Sequence, residues 1–278
     1  MAMASIKEAR IDQGQFRRKI NAILRGLDKN ESERLRDALR YLKETRREII
    51  DNLLRSEGFE EIHLQRMINE VNVSLREFEL KFQRSLLGGV RSAYEGGIEL
   101  IRAPLIGSGI KEVPLFVDEG LLRFSLQYSA EQVQGLTQVT RRRLDNILRQ
   151  GLIGQRTPYE MMVDVRRELG NKTAYEAERI VRTEVNRALN LTEQRYTKQI
   201  KEEIPGLRKY WLHEDDARVR PSHAAVGRRT NPDYGGTPID VEKQFSVGGY
   251  KADGPHDVSL PPEESINCRC VQILVTGA

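Results

Sequence analysis

The sequence predicts an α+β protein, in which an elongated, mostly α-helical N-terminal region precedes a small, loop-rich C-terminal domain of mixed α/β structure. Apolar residues recur at helical spacing over roughly the first 200 residues. After Pro205-Gly206, glycine and proline become frequent and the long periodic segments end. The single tryptophan, both cysteines and three of the four histidines lie beyond that point. We therefore divide the chain into an N-terminal helical region, residues 1–110, a second helical region, residues 111–205, and a C-terminal domain, residues 206–278.

The composition is that of a charge-rich protein that stays in water. Of the 278 residues, 38% are hydrophobic and 31% are charged. We expect no membrane span, because no run approaches the ~18 apolar residues of a transmembrane helix. The N-terminus lacks the apolar segment of a secretory signal, so we expect a protein that is made and kept in a cytoplasm. The net charge of +4 is small, which permits contact with nucleic acid but indicates solvated helix faces first.

The first part of the chain predicts three charged helices with narrow apolar stripes. The first stripe is interrupted at residues 26–30, where Asn30 and Glu33 form the pattern of a new helix start. A second break is expected at residues 56–58, which include a glycine. Residues 103–117 contain two glycines and two prolines, and this composition predicts an irregular linker.

The next helices are marked by their start signals. A helix is expected to resume near Asp118 and to end at the glycines of residues 151–154. Residues 157–160, Thr-Pro-Tyr-Glu, have the pattern of a capping box with proline at the first helical position. Residues 173–176, Thr-Ala-Tyr-Glu, repeat that pattern before a last long helix. Glu184 lies beside the apolar face of this helix, so we expect it to have a partner.

The C-terminal domain predicts two short strands, at residues 208–213 and 268–275. Side chains alternate between the two faces of a strand, so Cys268 and Cys270 are expected to point to the same side. Two cysteines one residue apart strain a mutual disulfide, and a cytoplasmic setting disfavours one further. We therefore expect two free thiols that face one partner.

Zinc binding is one of two interpretations of these thiols. Two thiolates on one side make half of a tetrahedral site, which His223 and His256 would complete. A loop-rich domain of about 70 residues has a small core, and a bound metal ion that links distant segments would stabilise it. Alternatively, the cysteines and histidines serve as core-packing and hydrogen-bonding groups, because their spacing differs from that of standard zinc fingers. Asp216 and Arg218 are expected to anchor a loop through an ion pair.

We expect no enzyme activity. A catalytic site needs a nucleophile, a base and a stabilising group in one place. The sequence has no glycine-rich phosphate loop, no Gly-x-Ser-x-Gly and no His-Glu-x-x-His pattern. The alternative is a metal-dependent nuclease or toxin with Asp216, His223, Cys268 and Cys270 in its site.

A series of motifs runs through the second half of the chain, from an Arg-Thr-Glu triplet on a helix to a terminal Asn-Cys-Arg-Cys. Its members are Arg182, Thr183, Glu184, Trp211, Asp216, Arg218, His223, Asn267, Cys268, Arg269 and Cys270. The series resembles the phage Mu F-like head morphogenesis proteins, also called minor capsid or minor head proteins. The resemblance covers roughly residues 150–278, and the chain departs from the pattern at His256, because relatives often carry a His-Pro-like step nearer the cysteines.

The resemblance implies a structural protein of a tailed phage, present in few copies inside the head of the virion and near the portal. It implies binding to the portal protein and to the major capsid or scaffold protein. In some phages it implies association with packaged double-stranded DNA, so a DNA-binding internal head protein delivered with the genome is the alternative function. The family has no settled catalytic role, and it implies no certain cofactor beside the zinc interpretation above.

Overall fold

The computed structural model describes residues 13–55, 61–107, 118–202, 204 and 206–276. The helices are α1 Gln13–Arg55, α2 Glu61–Gly107, α3 Glu119–Leu152, α4 Pro158–Arg167, α5 Thr173–Ile200, α6 Pro221–Thr230 and α7 Pro262–Ser265. The strands are β1 Leu207–Leu212, β2 Ile239–Asp240, β3 Phe245–Val247, β4 Tyr250–Ala252 and β5 Val271–Thr276. The predicted α+β class is confirmed. Within the described ranges, every helix is too short or too polar to cross a membrane.

Helix α1 runs without a break through residues 26–30, so the interruption and the new helix start predicted there are wrong. Gly26 lies on the exposed side of the helix, where one glycine costs only about 1 kcal/mol relative to alanine. Leu27 and Ala38 on the buried side are almost inaccessible to solvent. Burial of the apolar stripe therefore outweighs the weak helix propensity of the glycine.

The prediction of an irregular linker over residues 103–117 is wrong for residues 103–107, which are helical. Helix α2 continues to Gly107, and Ala103 is buried within it. Tertiary packing thus carries the helix past Pro104, and the helix ends at Gly107. Residues 108–117 of the predicted linker lie outside the described residues, as does the break predicted at residues 56–58.

The capping box at the start of α4 is confirmed. The Thr157 hydroxyl accepts the backbone N–H of Glu160 at 3.3 Å, and the Glu160 carboxylate accepts the backbone N–H of Thr157 at 2.8 Å. The second capping box, at Thr173, is wrong. A π-helical turn, Glu168–Lys172, connects α4 directly to α5, and the buried Thr173 hydroxyl donates to the Glu168 carbonyl at 3.0 Å. That hydroxyl therefore stabilises a helix that continues from α4 into α5, and it does not cap the start of a new helix.

The described chain packs as two compact units, each built from separate segments. Within the described ranges, the first unit combines residues 1–30, 90–123 and 182–278, and the second combines residues 31–89 and 124–181. Helices α1, α2, α3 and α5 contribute to both units. The three-part division made above rests on composition and periodicity, and it stays a prediction.

The second unit is helical and has an aromatic and aliphatic core. The rings of Phe78 and Phe82 lie 5.6 Å apart between centroids, and both side chains are buried. The carboxylate of Glu168 is also buried. Arg143 forms an ion pair with this carboxylate at 2.9 Å and a second ion pair with Glu176 at 3.5 Å. Because an unpaired buried carboxylate is costly, this arginine is what allows Glu168 to lie there.

The first unit contains an antiparallel sheet of order β2-β1-β5. Strands β1 and β5 pair from Leu207 opposite Thr276 to Leu212 opposite Val271. The strand predicted for residues 268–275 is wrong at its beginning: β1 ends opposite Val271, so residues 268–270 have no partner in the ladder. Strands β3 and β4 form a hairpin whose turn, residues 248–249, is two glycines with φ of 56° and 92°. A two-residue turn of this hand requires positive φ at both positions.

Two apolar clusters hold this unit together. In one, Tyr94 of α2 and Tyr196 of α5 pack beside Leu274 of β5. Their hydroxyls lie 3.1 Å apart, and each also bonds a backbone group of Asp118 at 3.0 Å. The other cluster surrounds Trp211 of β1 with Val226, Phe245, Val247, Ala252, Leu260, Cys268 and Cys270. The second cluster contains both thiols, so their environment is the apolar core of the C-terminal part of the chain.

The close approach of α2 to α5 in the first unit gives a test of this packing. A Cβ atom added at Gly97 would lie 2.6 Å from the Leu189 carbonyl oxygen and 2.8 Å from Thr192 Cβ. Because a backbone oxygen cannot easily move aside, we expect Gly97→Ala to lower the free energy of unfolding by about 1–3 kcal/mol in urea denaturation.

Gly26→Ala is the matched control. Among the described residues, and apart from its own helix, no atom lies within 4 Å of a Cβ added there. The better helix propensity of alanine should therefore raise the free energy of unfolding by up to about 1 kcal/mol. A Gly97→Ala protein that gains stability like the control contradicts the close approach.

Candidate functional site

Residues from separate parts of the chain meet in the C-terminal part of the first unit. His223 lies on α6, which begins at Pro221, a residue whose fixed φ suits the first helical position. Cys268 and Cys270 lie between α7 and β5. Asn267, just before them, takes a left-handed φ of 60°, and both thiols that follow contact His223. The predicted common direction of the two sulfurs is confirmed.

His223 lies between two sulfurs on one side and a carboxylate on the other. Its Nδ1 is 3.3 Å from Cys270 Sγ and 3.5 Å from Cys268 Sγ. Its Nε2 is 2.9 Å from Glu264 Oε2, and the Ser222 hydroxyl donates to the same oxygen at 2.9 Å. The histidine is 1% exposed and the cysteines 2% and 4%. The candidate ligand atoms of these three residues all lie within 4.8 Å of one another.

His256 is beside this group but outside it. The residue is 2% exposed and has a left-handed φ of 59°. Its Nε2 is 3.0 Å from the backbone carbonyl oxygen of Cys268. A carbonyl oxygen only accepts, so Nε2 donates this hydrogen bond, and Nδ1 is the ring nitrogen that can offer a lone pair. Nδ1 is buried, and it has no hydrogen-bond partner among the described residues.

The backbone N–H of Cys270 donates to Cys268 Sγ at 3.4 Å. A hydrogen bond from the neighbouring Cys270 thiol is the largest cause that holds the pKa of Cys268 well below the ordinary thiol range. His223 and His256 act on Cys268 in the same direction. The same bond, with burial, raises the pKa of Cys270. The cluster therefore favours a first thiolate at Cys268.

The remaining motif residues make contacts inside the first unit. Thr183 of α5 accepts the backbone N–H of Asn267 at 3.1 Å. Arg269 binds both oxygens of Asp216 at 2.7 and 2.8 Å, and the predicted ion pair of Asp216 with Arg218 is present at 3.3 Å. Asp216 accordingly has a pKa below its usual value, first because of the hydrogen bond from Arg269.

Three further motif residues are buried or partly buried. Trp211 is fully buried, and its ring packs edge-on against His223 at 5.2 Å between centroids. Glu184 is buried and binds Arg187 at 2.7 Å, which confirms the predicted partner. Arg182 is partly buried on α5, and its backbone carbonyl accepts the Asn186 side chain at 2.8 Å.

Two residues at the centre were missed in the sequence analysis. Asn190 of α5 is fully buried and donates to the backbone carbonyl of Cys270 at 3.0 Å. A signal was available: Asn186, Asn190 and Glu193 form a polar stripe at helical spacing on the inner side of α5. Glu264, which binds His223, gave no such signal, because it lies in a short segment of prolines and acidic residues 41 positions away.

A second buried polar group lies on the same helix. The Glu193 side chain is completely buried, and among the described residues neither carboxyl oxygen has a hydrogen-bond partner. Burial raises the pKa of Glu193 well above its usual value, opposed by the charge of Lys209. Lys209 is buried too; burial lowers its pKa to about 8, and its Nζ donates to the Asp253 carbonyl at 2.7 Å.

Comparison with known proteins adds to this description. A family model described as Phage Mu protein F like protein matches residues 129–273, just over half of the chain. Over 100 residues the chain is 33% identical to the NAD(+)–arginine ADP-ribosyltransferase EFV of Enterococcus faecalis strain ATCC 700802 / V583. That stretch is 36% of this chain and 19% of the enzyme, so the chain spans about a fifth of this relative. No solved structure gives a significant match.

The left-handed turn before the thiols gives the first test of this site. Asn267→Ala places a side chain that disfavours positive φ at this position, and we expect it to lower the free energy of unfolding by about 1–2 kcal/mol. Asn267→Gly should cost less, because glycine adopts this conformation readily and the backbone N–H bond to Thr183 is kept. Equal losses for the two variants in urea denaturation would falsify the assigned turn.

Buried Glu193 gives a second test, in the dependence of stability on pH. Between pH 4.5 and its raised folded pKa, the folded protein keeps a proton that the unfolded chain releases, so stability falls as pH rises through that window. Glu193→Gln removes this fall. In denaturant unfolding, we expect the free energy of unfolding of the variant to rise relative to that of the wild type as the pH increases from 5 to 7.

Lys209 does not disturb that comparison, because its lowered pKa of about 8 keeps it charged in both states over the same pH range. Parallel stability profiles for the wild type and Glu193→Gln between pH 5 and pH 7 contradict a neutral, buried Glu193 carboxyl.

Proposed function

Since this chain belongs to the Phage Mu protein F like family, we propose that it is a minor structural protein of a tailed-phage head, which binds the portal protein and the major capsid or scaffold protein. It acts during head assembly and stays in the virion, inside the head and near the portal. The family match over residues 129–273 carries the assignment to the head. The partners are the part that the experiment below tests.

The contacts of the motif residues support a structural role. Thr183 holds the turn at Asn267, and Arg269 holds the loop at Asp216. Trp211 lies at the centre of the apolar cluster around the thiols. These side chains are used to join α5, the loop after β1 and the segment before β5. A protein that docks on large assemblies gains from such a rigid unit, because less conformational freedom is lost on binding.

The same geometry weighs against a catalytic role. Cys268, His223 and Glu264 have the order of a nucleophile, a base and a group that orients the base. A reactive cysteine must also be reached by its substrate, and both thiols are almost completely buried. We therefore assign the cluster to structure. The named activity of the E. faecalis relative belongs to that enzyme, of which this chain spans about a fifth.

Binding to purified head components tests this function. We expect the full chain to co-elute with the portal protein of its own phage in size-exclusion chromatography, and to bind the major capsid or scaffold protein in a pull-down. The portal protein of an unrelated phage is the control, and it should elute separately. Failure to bind the portal, the capsid and the scaffold protein would remove the assembly role.

DNA binding is the competing function, and salt separates it from protein docking. Binding that neutralises phosphates weakens steeply between 50 and 200 mM salt, by about 10³-fold or more for six contacts. The small basic excess of the chain predicts weak binding to double-stranded DNA even at 50 mM salt in a gel-shift assay. Tight, salt-sensitive DNA binding without portal binding supports the internal DNA-binding protein instead. Cleavage of DNA or RNA in the presence of zinc or magnesium supports the nuclease.

A further inference from the structure

We propose that His223, Cys268 and Cys270 bind one zinc ion, with His256 as the fourth ligand, and that the ion joins α6 to the segment before β5. The proposal rests on the geometry of these side chains and does not depend on the partners of the protein. It makes the centre a closed structural site, because all four coordination positions are taken by protein side chains.

The distances among the three clustered residues fit a tetrahedral zinc site. With Zn–S near 2.3 Å and Zn–N near 2.0–2.1 Å, a sulfur and a nitrogen on the same ion lie about 3.5 Å apart. His223 Nδ1 lies 3.3 Å from Cys270 Sγ and 3.5 Å from Cys268 Sγ. A nitrogen at this distance from two sulfurs is the arrangement that a shared ion requires.

The outer nitrogens of both histidines have the partners that metal-bound histidines require. A histidine that binds a metal through one nitrogen usually donates the other N–H to a carboxylate or a backbone carbonyl, which fixes its tautomer. His223 Nε2 faces the Glu264 carboxylate at 2.9 Å, and His256 Nε2 faces the Cys268 carbonyl at 3.0 Å. In both rings the partner sits on Nε2, so Nδ1 is the nitrogen left to bind a metal.

The unpartnered Nδ1 of His256 points to the fourth ligand. It is a buried lone pair without a hydrogen-bond partner among the described residues, and such an atom carries a free-energy cost unless something binds it. Its ring lies beside the Cys268 ligand, because Nε2 of the same ring is 3.0 Å from the Cys268 backbone carbonyl oxygen. Because Nδ1 lies outside the three-residue group, zinc binding draws this ring toward the sulfurs.

The donor set favours zinc over calcium and magnesium. Two thiolates and two imidazoles are soft and borderline ligands, whereas calcium and magnesium take oxygen ligands. Zinc is tetrahedral in structural sites of two cysteines and two histidines. The apolar residues around the centre, Trp211, Val226 and Leu260, restrict access of water to it. A buried, four-coordinate site of this kind contributes folding stability rather than chemistry.

The metal content of the purified full chain tests the proposal. We expect about one zinc per chain by inductively coupled plasma mass spectrometry, and a value near zero for Cys268→Ser. His63→Ala is the matched control, because His63 is a histidine of the second unit, and it should keep the full content. Glu264→Gln keeps all four ligands but weakens the partner of His223, so zinc affinity should fall about 10–100-fold.

Cobalt provides a readout that does not depend on any variant being folded. Cobalt(II) added to metal-free wild type should give a thiolate-to-metal charge-transfer band in the near ultraviolet and visible bands of tetrahedral intensity. Metal-free wild type that binds neither zinc nor cobalt overturns the site. His256→Ala that keeps the zinc affinity within twofold overturns the fourth ligand. Portal binding is measured separately, so either result leaves the assembly role to its own test.

Discussion

Two hydrogen bonds from helix α5 to the segment between α7 and β5 determine the geometry of the centre. Thr183 accepts the backbone N–H of Asn267, and Asn190 donates to the backbone carbonyl of Cys270. These bonds hold both ends of a four-residue segment that contains the two cysteines and has no partner in the sheet. Because the backbone is fixed at both ends, both sulfurs face His223. Without these bonds, the segment would present two unpaired backbone groups to a buried environment.

Helix α5 is able to do this because its inner face is partly polar. Asn186, Asn190, Glu193 and Thr197 lie on that face and are buried. Each asparagine and threonine bonds a backbone group, but Glu193 has no hydrogen-bond partner among the described residues, and burial raises its pKa well above the usual value. An apolar helix face would bury no polar groups, but it would leave the backbone groups of the cysteine segment without hydrogen-bond partners. The polar face thus contributes less packing energy than an apolar face would, but its hydrogen bonds fix the position of the thiols.

The sequence was sufficient for the features that depend on local periodicity. The helical region and the capping box at Thr157 follow from spacing alone. The shared direction of Cys268 and Cys270 was predicted correctly, but its cause is the hydrogen bonds from α5 and not strand alternation, because β5 begins only at Val271. The errors arose where distant packing decides. The glycine at position 26 costs so little that burial of its neighbours carries the helix through it, and no local pattern reveals that burial. Glu264 is the clearest case, since only the folded chain brings it to His223 from 41 residues away.

The separation of the residues along the chain explains what the proposed zinc ion would add to this fold. His223 lies 45 and 47 residues before the two cysteines, and the chain between them contains only short strands, two short helices and loops. Closing a loop of this length costs entropy that must be recovered from contacts formed at its ends. Here those contacts are the apolar cluster around Trp211 and the hydrogen bonds that hold the cysteine segment. A zinc ion bound by both ends would supply further stabilisation at a single point, because metal binding to ligands that are separate in the unfolded chain is itself folding free energy.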